Sequence, residues 1–234
     1  MTRPSRLRIP PRLLGRALLC GLLCPALLCG LLGRAPAWAR GEETAVAPLV
    51  HRLLEDLRAH AGLTADFVQY NHWLAFAETD TSRGRLTLAP PDRFRLDYRQ
   101  PPGHRIGSDG RYVWTIVPEQ KQVLRAPRAE TTGWDALFYE GLAAPRDSLA
   151  LVREDPQWGR VASITLAPQP EWGLRALAVD LAVPSARPVG YAYTDEEGNR
   201  TRFRFTDLRY ASAFDSTLFH FSVPEGYELF DAGR

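Results

Sequence analysis

Beyond residue 39 the chain has no cysteine: all three, Cys20, Cys24 and Cys29, lie in the first 39 residues. A disulfide framework and a thiol nucleophile are thereby excluded for everything downstream. Other catalytic signatures are missing too. There is no G-x-S-x-G elbow, and the serine of "GSDG" (Gly107 to Gly110) sits in the residues of a hairpin turn. The five histidines, His51, His60, His72, His104 and His220, are scattered without H-E-x-x-H or ligand spacing, which argues against a zinc site. His220 alternates with Phe219 and Phe221, which predicts the solvent face of a strand. Neither G-x-x-x-x-G-K nor G-x-G-x-x-G occurs, so no phosphate-cradling loop is expected. The acidic run Asp195, Glu196 and Glu197, just before Gly198 and Asn199, reads as a loop tip rather than a glycosidase pair. Repeats, linkers and low-complexity tracts are absent as well.

What the first 39 residues do contain is a basic stretch (Arg3, Arg6, Arg8, Arg12, Arg16), an apolar run from Ala17 to Leu32, and "APAWAR" with small residues at Ala37 and Ala39. This pattern predicts a secretory signal peptide over 1–39, cleaved after Ala39. The apolar run is shorter than the roughly 20 residues of a spanning helix. Leu19, Leu23 and Leu28 precede the three cysteines where a lipoprotein signal would place a small residue, so a lipid-anchored product is not expected. The remainder, 40–234, is long enough for a single domain with a sizeable core.

Cleavage also reverses the charge. The whole chain carries a formal +2, but its first 39 residues hold six arginines and no acid, leaving 23 basic against 27 acidic residues, a net −4. No nucleic-acid partner is expected of such a surface.

Apolar residues recur at helical spacing from Thr44 to Ala61 (Leu49 or Val50, Leu53, Leu54, Leu57), and Gly62 ends the pattern. The period then becomes two through "LTADFVQY", "GRLTLAP", "RFRLDY", "YVWTIV" and "KQVLR". A short aromatic-faced helix is predicted around Trp134, Leu137, Phe138 and Leu142. Strands resume with "SLALVRE", "GRVASITLAP", "LRALAVDLAV", "VGYAYTD", "RTRFRFTDL" and "LFHFSVP", with "TDEEGNR" as a hairpin loop. About ten antiparallel strands with two or three helical pieces imply a large curved sheet, which must close, pair, or be covered along its apolar face.

The chemistry-bearing feature is aromatic: Phe67, Phe94, Tyr98, Trp114, Trp134, Phe138, Tyr191, Tyr193, Phe203 and Phe205 all fall on strands or the short helix. Each fits either an ordinary core or the lining of a cavity for an apolar ligand.

The order of motifs resembles the LolA family of periplasmic outer-membrane lipoprotein carriers. A hydrophobic-x-A-x-F-x-Q strand appears as Leu63, Ala65, Phe67 and Gln69; "GRLTLAPPDRFRLDYRQP" matches the strand, proline and F-x-hydrophobic-x-aromatic strand that follow. "IGSDGRYVW" supplies the next run, and Phe219, Phe221, Pro224 and Gly226 the closing F-x-F-x-x-P-x-G. The resemblance spans Thr44 to about Leu229.

It implies a mainly β (α+β) fold, an unclosed β-barrel capped by short helices around an apolar cavity, in a monomeric periplasmic carrier that is not an enzyme and needs no cofactor. The acyl-chain cavity and lid would comprise Phe67, Leu86, Leu88, Phe94, Leu96, Tyr98, Trp114, Trp134, Leu137 and Phe138. Acylated lipoproteins would be the cargo, an inner-membrane lipoprotein-releasing ABC transporter the donor, and an outer-membrane acceptor the destination. One position departs from the pattern: the arginine that ties this strand to the lid in enterobacterial-type members is replaced by Pro90. A proline side chain makes no hydrogen bond, so the departure keeps open a carrier or sensor of another acylated envelope lipid. An envelope hydrolase, the reading from a different class, lacks a recognisable site.

Overall fold

The computed structural model describes residues 43–130, 142 and 149–232. The segment expected to be a signal peptide lies outside the described residues, as does the predicted Trp134 to Leu142 helix except for Leu142. In chain order the strands are β1 (Glu43–Ala45), β2 (Gly62–Trp73), β3 (Glu78–Ala89), β4 (Arg93–Gln100), β5 (Arg105–Asp109), β6 (Tyr112–Val117), β7 (Gln122–Pro127), β8 (Leu149–Asp155), β9 (Gly159–Leu166), β10 (Leu174–Ala182), β11 (Pro188–Asp195), β12 (Arg200–Ala211) and β13 (Glu228–Asp231). Helix α1 (Val46–Ala59) follows β1. The strands form one 13-stranded sheet, ordered β1-β8-β9-β10-β11-β12-β2-β3-β4-β5-β6-β7-β13, with β1 and β13 as unjoined edges. Neighbours are antiparallel throughout except for β13, which runs parallel to β7. Among the described residues no helix is long and apolar enough to cross a membrane.

Helix α1 exists because Val46, Leu49, Val50, Leu53 and Leu57 repeat at a spacing of three to four residues, and all five are buried. Pro48 is tolerated because first-turn N–H groups have no intrahelical acceptor to lose. The chain leaves the helix through Gly62, whose φ is +149°. A Cβ there would lie 1.9 Å from the Leu88 carbonyl oxygen, so only glycine permits this approach of β2 to β3.

Residues paired across strands share a face of the sheet. One inner row runs Leu63, Leu88, Phe94, Ser108, Val113 and Ala126; the next runs Ala65, Leu86, Leu96, Ile106, Thr115, Leu124 and Phe230. On the other half, Ile164, Val179, Tyr191 and Phe203 form a matching row. The β2 to β4 part of the first two rows, the third row and α1 belong to the main core, which Leu142 also joins.

The outer face of β2 to β5 is a ladder of ion pairs. Asp66 accepts from Arg85 (3.3 Å) and Arg99 (2.9 Å), and Asp97 accepts from Arg95 and Arg105 (both 2.7 Å). The C-terminal "LFHFSVP" departs from expectation: it is not a strand. It forms a 3-10 turn, Ser216–Phe219, and then irregular chain that crosses the outer face of β4 to β6, with exposed His220 just past the turn. Asp215 caps the turn by accepting from the Thr217 N–H (2.9 Å), and Arg95 donates to the Leu218 carbonyl (2.7 Å). These contacts replace ladder hydrogen bonds, which is why an alternating sequence need not pair here.

Burial would raise the pKa of Asp97, but the hydrogen bonds and charges of Arg95 and Arg105 outweigh it and hold the carboxyl below its ordinary value. A depressed carboxylate contributes stability at pH above its ordinary value, near 3.8, and that contribution disappears as pH falls through the lower folded-state value. Circular-dichroism melts across the acid range should therefore show stability falling below about pH 4, with a shallower fall in Asp97→Asn. Identical acid limbs in the two proteins would show that Asp97 is not a determinant.

Candidate functional site

Strand parity gathers six of the ten expected residues on the inner face. Phe67 of β2, Leu86 and Leu88 of β3, and Phe94, Leu96 and Tyr98 of β4 are all buried in the main core. Phe67 meets Tyr98 edge-on at 5.2 Å and Phe203 at 5.5 Å between centroids. Gly84 makes this packing possible, since a Cβ there would come within 2.6 Å of the Phe67 ring. The Tyr98 hydroxyl donates to Gln69 Oε1 (2.7 Å), and Gln69 in turn donates to Asn71 Oδ1 (2.8 Å). Burial, helped by neighbouring Tyr193, pushes the Tyr98 phenol well above its ordinary pKa, so it remains a neutral donor.

Trp114 departs from the expected grouping. It pairs with Gly107, which pairs with Arg95, and so faces outward with the ion-pair ladder. Trp114 stacks on Phe221 of the C-terminal crossing (6.1 Å, 14°), lies 5.3 Å from the Arg125 guanidinium, and donates its indole N–H to Asp109 (2.8 Å). With Ile116 and Val123 it forms a separate small core. The parity of the β5–β6 hairpin decides this: Val113 and Thr115 take the inner positions. Trp134, Leu137 and Phe138 lie outside the described residues.

Among the described residues the inner face is not covered everywhere. Toward the β13 edge, Val113, Thr115, Leu124, Ala126 and Phe230 line a pocket of about 460 Å³, rimmed by the Arg125–Asp231 ion pair. Leu124 and Phe230, adjacent across the parallel β7–β13 pairing, remain 46% and 43% exposed. The pocket continues the rows that hold Phe94 and Leu96, one end being buried and the other open to solvent. Its volume falls within the roughly 300–1,000 Å³ of small-molecule sites. Its apolar walls offer dispersion contacts and desolvation, and among the described residues no cluster could hold a metal ion.

Sequence reasoning missed Leu124, Ala126 and Phe230. Alternation in "KQVLRAP" set Leu124 and Ala126 on one face, which was a usable signal. Nothing local announced that "ELFD", over 100 residues away, would pair parallel to β7.

An unclosed, mostly antiparallel sheet with an apolar inner face, covered at its middle and open at one edge, defines a class of scaffold suited to apolar ligands. The particular family follows from comparison: the family model for the outer membrane lipoprotein carrier protein LolA matches residues 58–222, and the chain belongs to that family. The outer-membrane lipoprotein carrier protein of Methylococcus capsulatus is 28% identical over 181 residues, covering 77% of this chain and 86% of that protein. The protein of the same description from Alkalilimnicola ehrlichii is 29% identical over 192 residues, covering 82% and 86%. A crystal structure of a LolA superfamily protein from Nitrosomonas europaea aligns with a TM-score of 0.41 at 12% identity, over 76% of this chain and 98% of that one.

The outward placement of Trp114 is testable. Phe221→Ala removes its stacking partner and uncovers Gly107, and because Phe221 is only half-buried the cost should be about 1–3 kcal/mol, below that of a fully buried phenylalanine. Urea unfolding should show that loss together with a red shift of tryptophan emission. Unchanged stability and emission would contradict the assignment of Phe221 as the cover of Trp114.

Proposed function

We propose that this protein is a periplasmic carrier that takes up the acyl chains of lipoproteins on its apolar inner face and moves them from the inner to the outer membrane. The observation that carries the reading is the open apolar pocket at Val113, Leu124 and Phe230, continuous with the buried Phe94 and Leu96 rows, in a chain of the LolA family. Burying an acyl chain is worth about 0.8 kcal/mol per methylene, roughly 10 kcal/mol for one long chain. A lipid-modified polypeptide therefore does not cross water unaccompanied.

Such a carrier requires no catalytic residue. It requires an affinity between those of donor and acceptor and a cover that moves. An inner-membrane ABC transporter would load it and an outer-membrane acceptor would unload it. The pocket is the natural entry, with Phe67, Leu86, Leu88, Phe94, Leu96 and Tyr98 becoming available only when their cover lifts. Trp134, Leu137 and Phe138 are the proposed lid, which a cargo shifts only by its differential affinity for the open state.

A second reading, a carrier or sensor of another acylated lipid, is favoured by Pro90. This residue lies between β3 and β4 and leaves the Phe94 strand without the family's arginine. Here β4 is instead held from the outer side, by Arg93 over the Phe219 ring (5.1 Å) and Arg95 on Leu218.

The test begins with native mass spectrometry and lipid extraction of protein isolated from periplasm without detergent. An acylated polypeptide is expected as cargo, and a free lipid would establish the second reading. In parallel, Leu124→Glu and Phe230→Glu alter partly exposed side chains and should leave the fold intact while weakening a fluorescent fatty-acyl probe at least tenfold, about 1.4 kcal/mol. Undiminished probe binding in both variants would rule out the pocket as the entry.

A further inference from the structure

The end of the sheet opposite to the β3–β4 turn carries a feature that acyl-chain transport does not require. Hairpin β2–β3 outruns β4: pairing with it stops at Arg83–Gln100, so Glu78 to Ser82 have no partner on that side. These five residues extend roughly 17 Å at the usual strand rise. Only the β4 side is left open, because β12 keeps pace with β2 as far as His72, which pairs with Arg200 one residue before β2 ends. At the tip, Trp73, Leu74 and Phe76 are 40%, 59% and 74% exposed.

This tip is held rather than loose. The Leu74 N–H donates to Asn199 Oδ1 of the β11–β12 loop (3.1 Å), a Cβ on Gly198 would lie 2.9 Å from Leu74, and the Trp73 indole donates to Asp80 (2.8 Å). Three large apolar side chains are thus presented to water by two mutually supporting loops, which is costly unless something receives them.

Beside the tip the outer face is basic. Arg99 of β4, Arg83 of β3, and Arg200 and Arg202 of β12 point outward in neighbouring registers around Tyr70. Arg99 is shared with Asp66 and Arg202 with Asp180, whereas no ion pair involving Arg83 or Arg200 is formed among the described residues. Of the acids at this end, Glu78 and Asp80 are on the inner-face side with Trp73, and Asp195, Glu196 and Glu197 belong to the loop that supports the tip, Asp195 being tied to Asn199. The outer side, with its four arginines, is the one that can meet an anionic surface. An acidic protein would account for the arginines but leave Leu74 and Phe76 in water; a bilayer interface receives both, phosphates against guanidinium groups and the apolar tip among acyl chains.

We propose that the β2–β3 hairpin end is a membrane-docking element for bilayers containing anionic phospholipid, with Leu74 and Phe76 inserted and Arg83, Arg99, Arg200 and Arg202 on the headgroups. The element does not depend on which cargo the protein carries.

The experiment uses protein beginning at Arg40, which contains every described element and no cysteine. Flotation is measured with vesicles of phosphatidylcholine and of phosphatidylcholine with phosphatidylglycerol. Binding is expected to the mixed vesicles and to weaken as salt rises. Arg83→Gln and Arg200→Gln should each weaken it roughly fivefold, and the exposed-site double variant Leu74→Ser/Phe76→Ser should lose it while still binding the fatty-acyl probe. Ala75→Cys, labelled with an environment-sensitive dye, should shift to shorter wavelength on mixed vesicles, whereas a label at Gln157→Cys should not. Leu124→Glu should float normally, which separates this surface from the pocket. Failure to float with mixed vesicles, flotation unaffected by the tip substitutions, or an unshifted Ala75→Cys label would each overturn the proposal.

Discussion

Everything in this fold follows from one constraint: a sheet of 13 strands that does not close must have its apolar side covered by something else. Strands about 4.8 Å apart make a ribbon roughly 58 Å across along its curve. Helix α1, with 14 residues at about 1.5 Å each, is roughly 21 Å long. It cannot cover that width. Its stripe from Val46 to Leu57 is buried in the main core, the cluster that also holds Leu63, Leu88 and Phe94. Toward β7 and β13 the same rows continue without it, and Leu124 and Phe230 stay partly in water. Among the described residues, the open pocket is where the sheet extends past the reach of α1.

The outer face is stabilised by other means. Its aspartates are shared among arginines, and exposed pairs of this kind contribute little individually, typically 0–1 kcal/mol. The C-terminal crossing does more. Phe219 is buried, Phe221 covers Gly107 and Trp114, and the chain then returns to the edge, where β13 adds to β7. The same segment thus braces the outer side of β4 to β6 and supplies Phe230 to the inner pocket. From the crossing on Trp114 the chain runs through Tyr227, packed on the same small core, and Glu228 into the wall that Phe230 builds.

The strands that alternate cleanly, such as "RFRLDY" and "RTRFRFTDL", were legible because a period of two on a half-buried sheet has few other solutions. Helix α1 was legible for the matching reason, its observed ends falling two residues inside the expected Thr44 to Ala61. The shortfalls have physical causes. Strand β5, "RIGSD", has Gly107 and Ser108 where a strand usually carries bulk, because Phe221 occupies the space above Gly107. Strand β13 was invisible because its ladder is parallel and joins residues more than 100 apart. Conversely "LFHFSVP" alternates as a strand would but is fixed by side-chain contacts across the sheet rather than by pairing. Trp114 could not be assigned a face without knowing the hairpin register, since one residue of slip reverses it.

The division of the inner face into a buried middle and an open edge bears on how an acyl carrier could work. Phe94 and Leu96 are 1% and 0% exposed and belong to the same core as the buried stripe of α1. A ligand that had to displace that packing at first contact would meet much of the core's cohesion as a barrier, because close-packed interiors yield only by opening. Leu124 and Phe230 present no such barrier, as half their surface already faces water. An acyl chain that settles first against them, on the proposed reading, gains burial before any core contact is lost, and it can advance along the Thr115, Ile106 and Leu96 row as its cover lifts. Uptake and release then become a graded exchange of one apolar contact for another. This suits a protein whose affinity must be high enough to shield a lipid and low enough to surrender it.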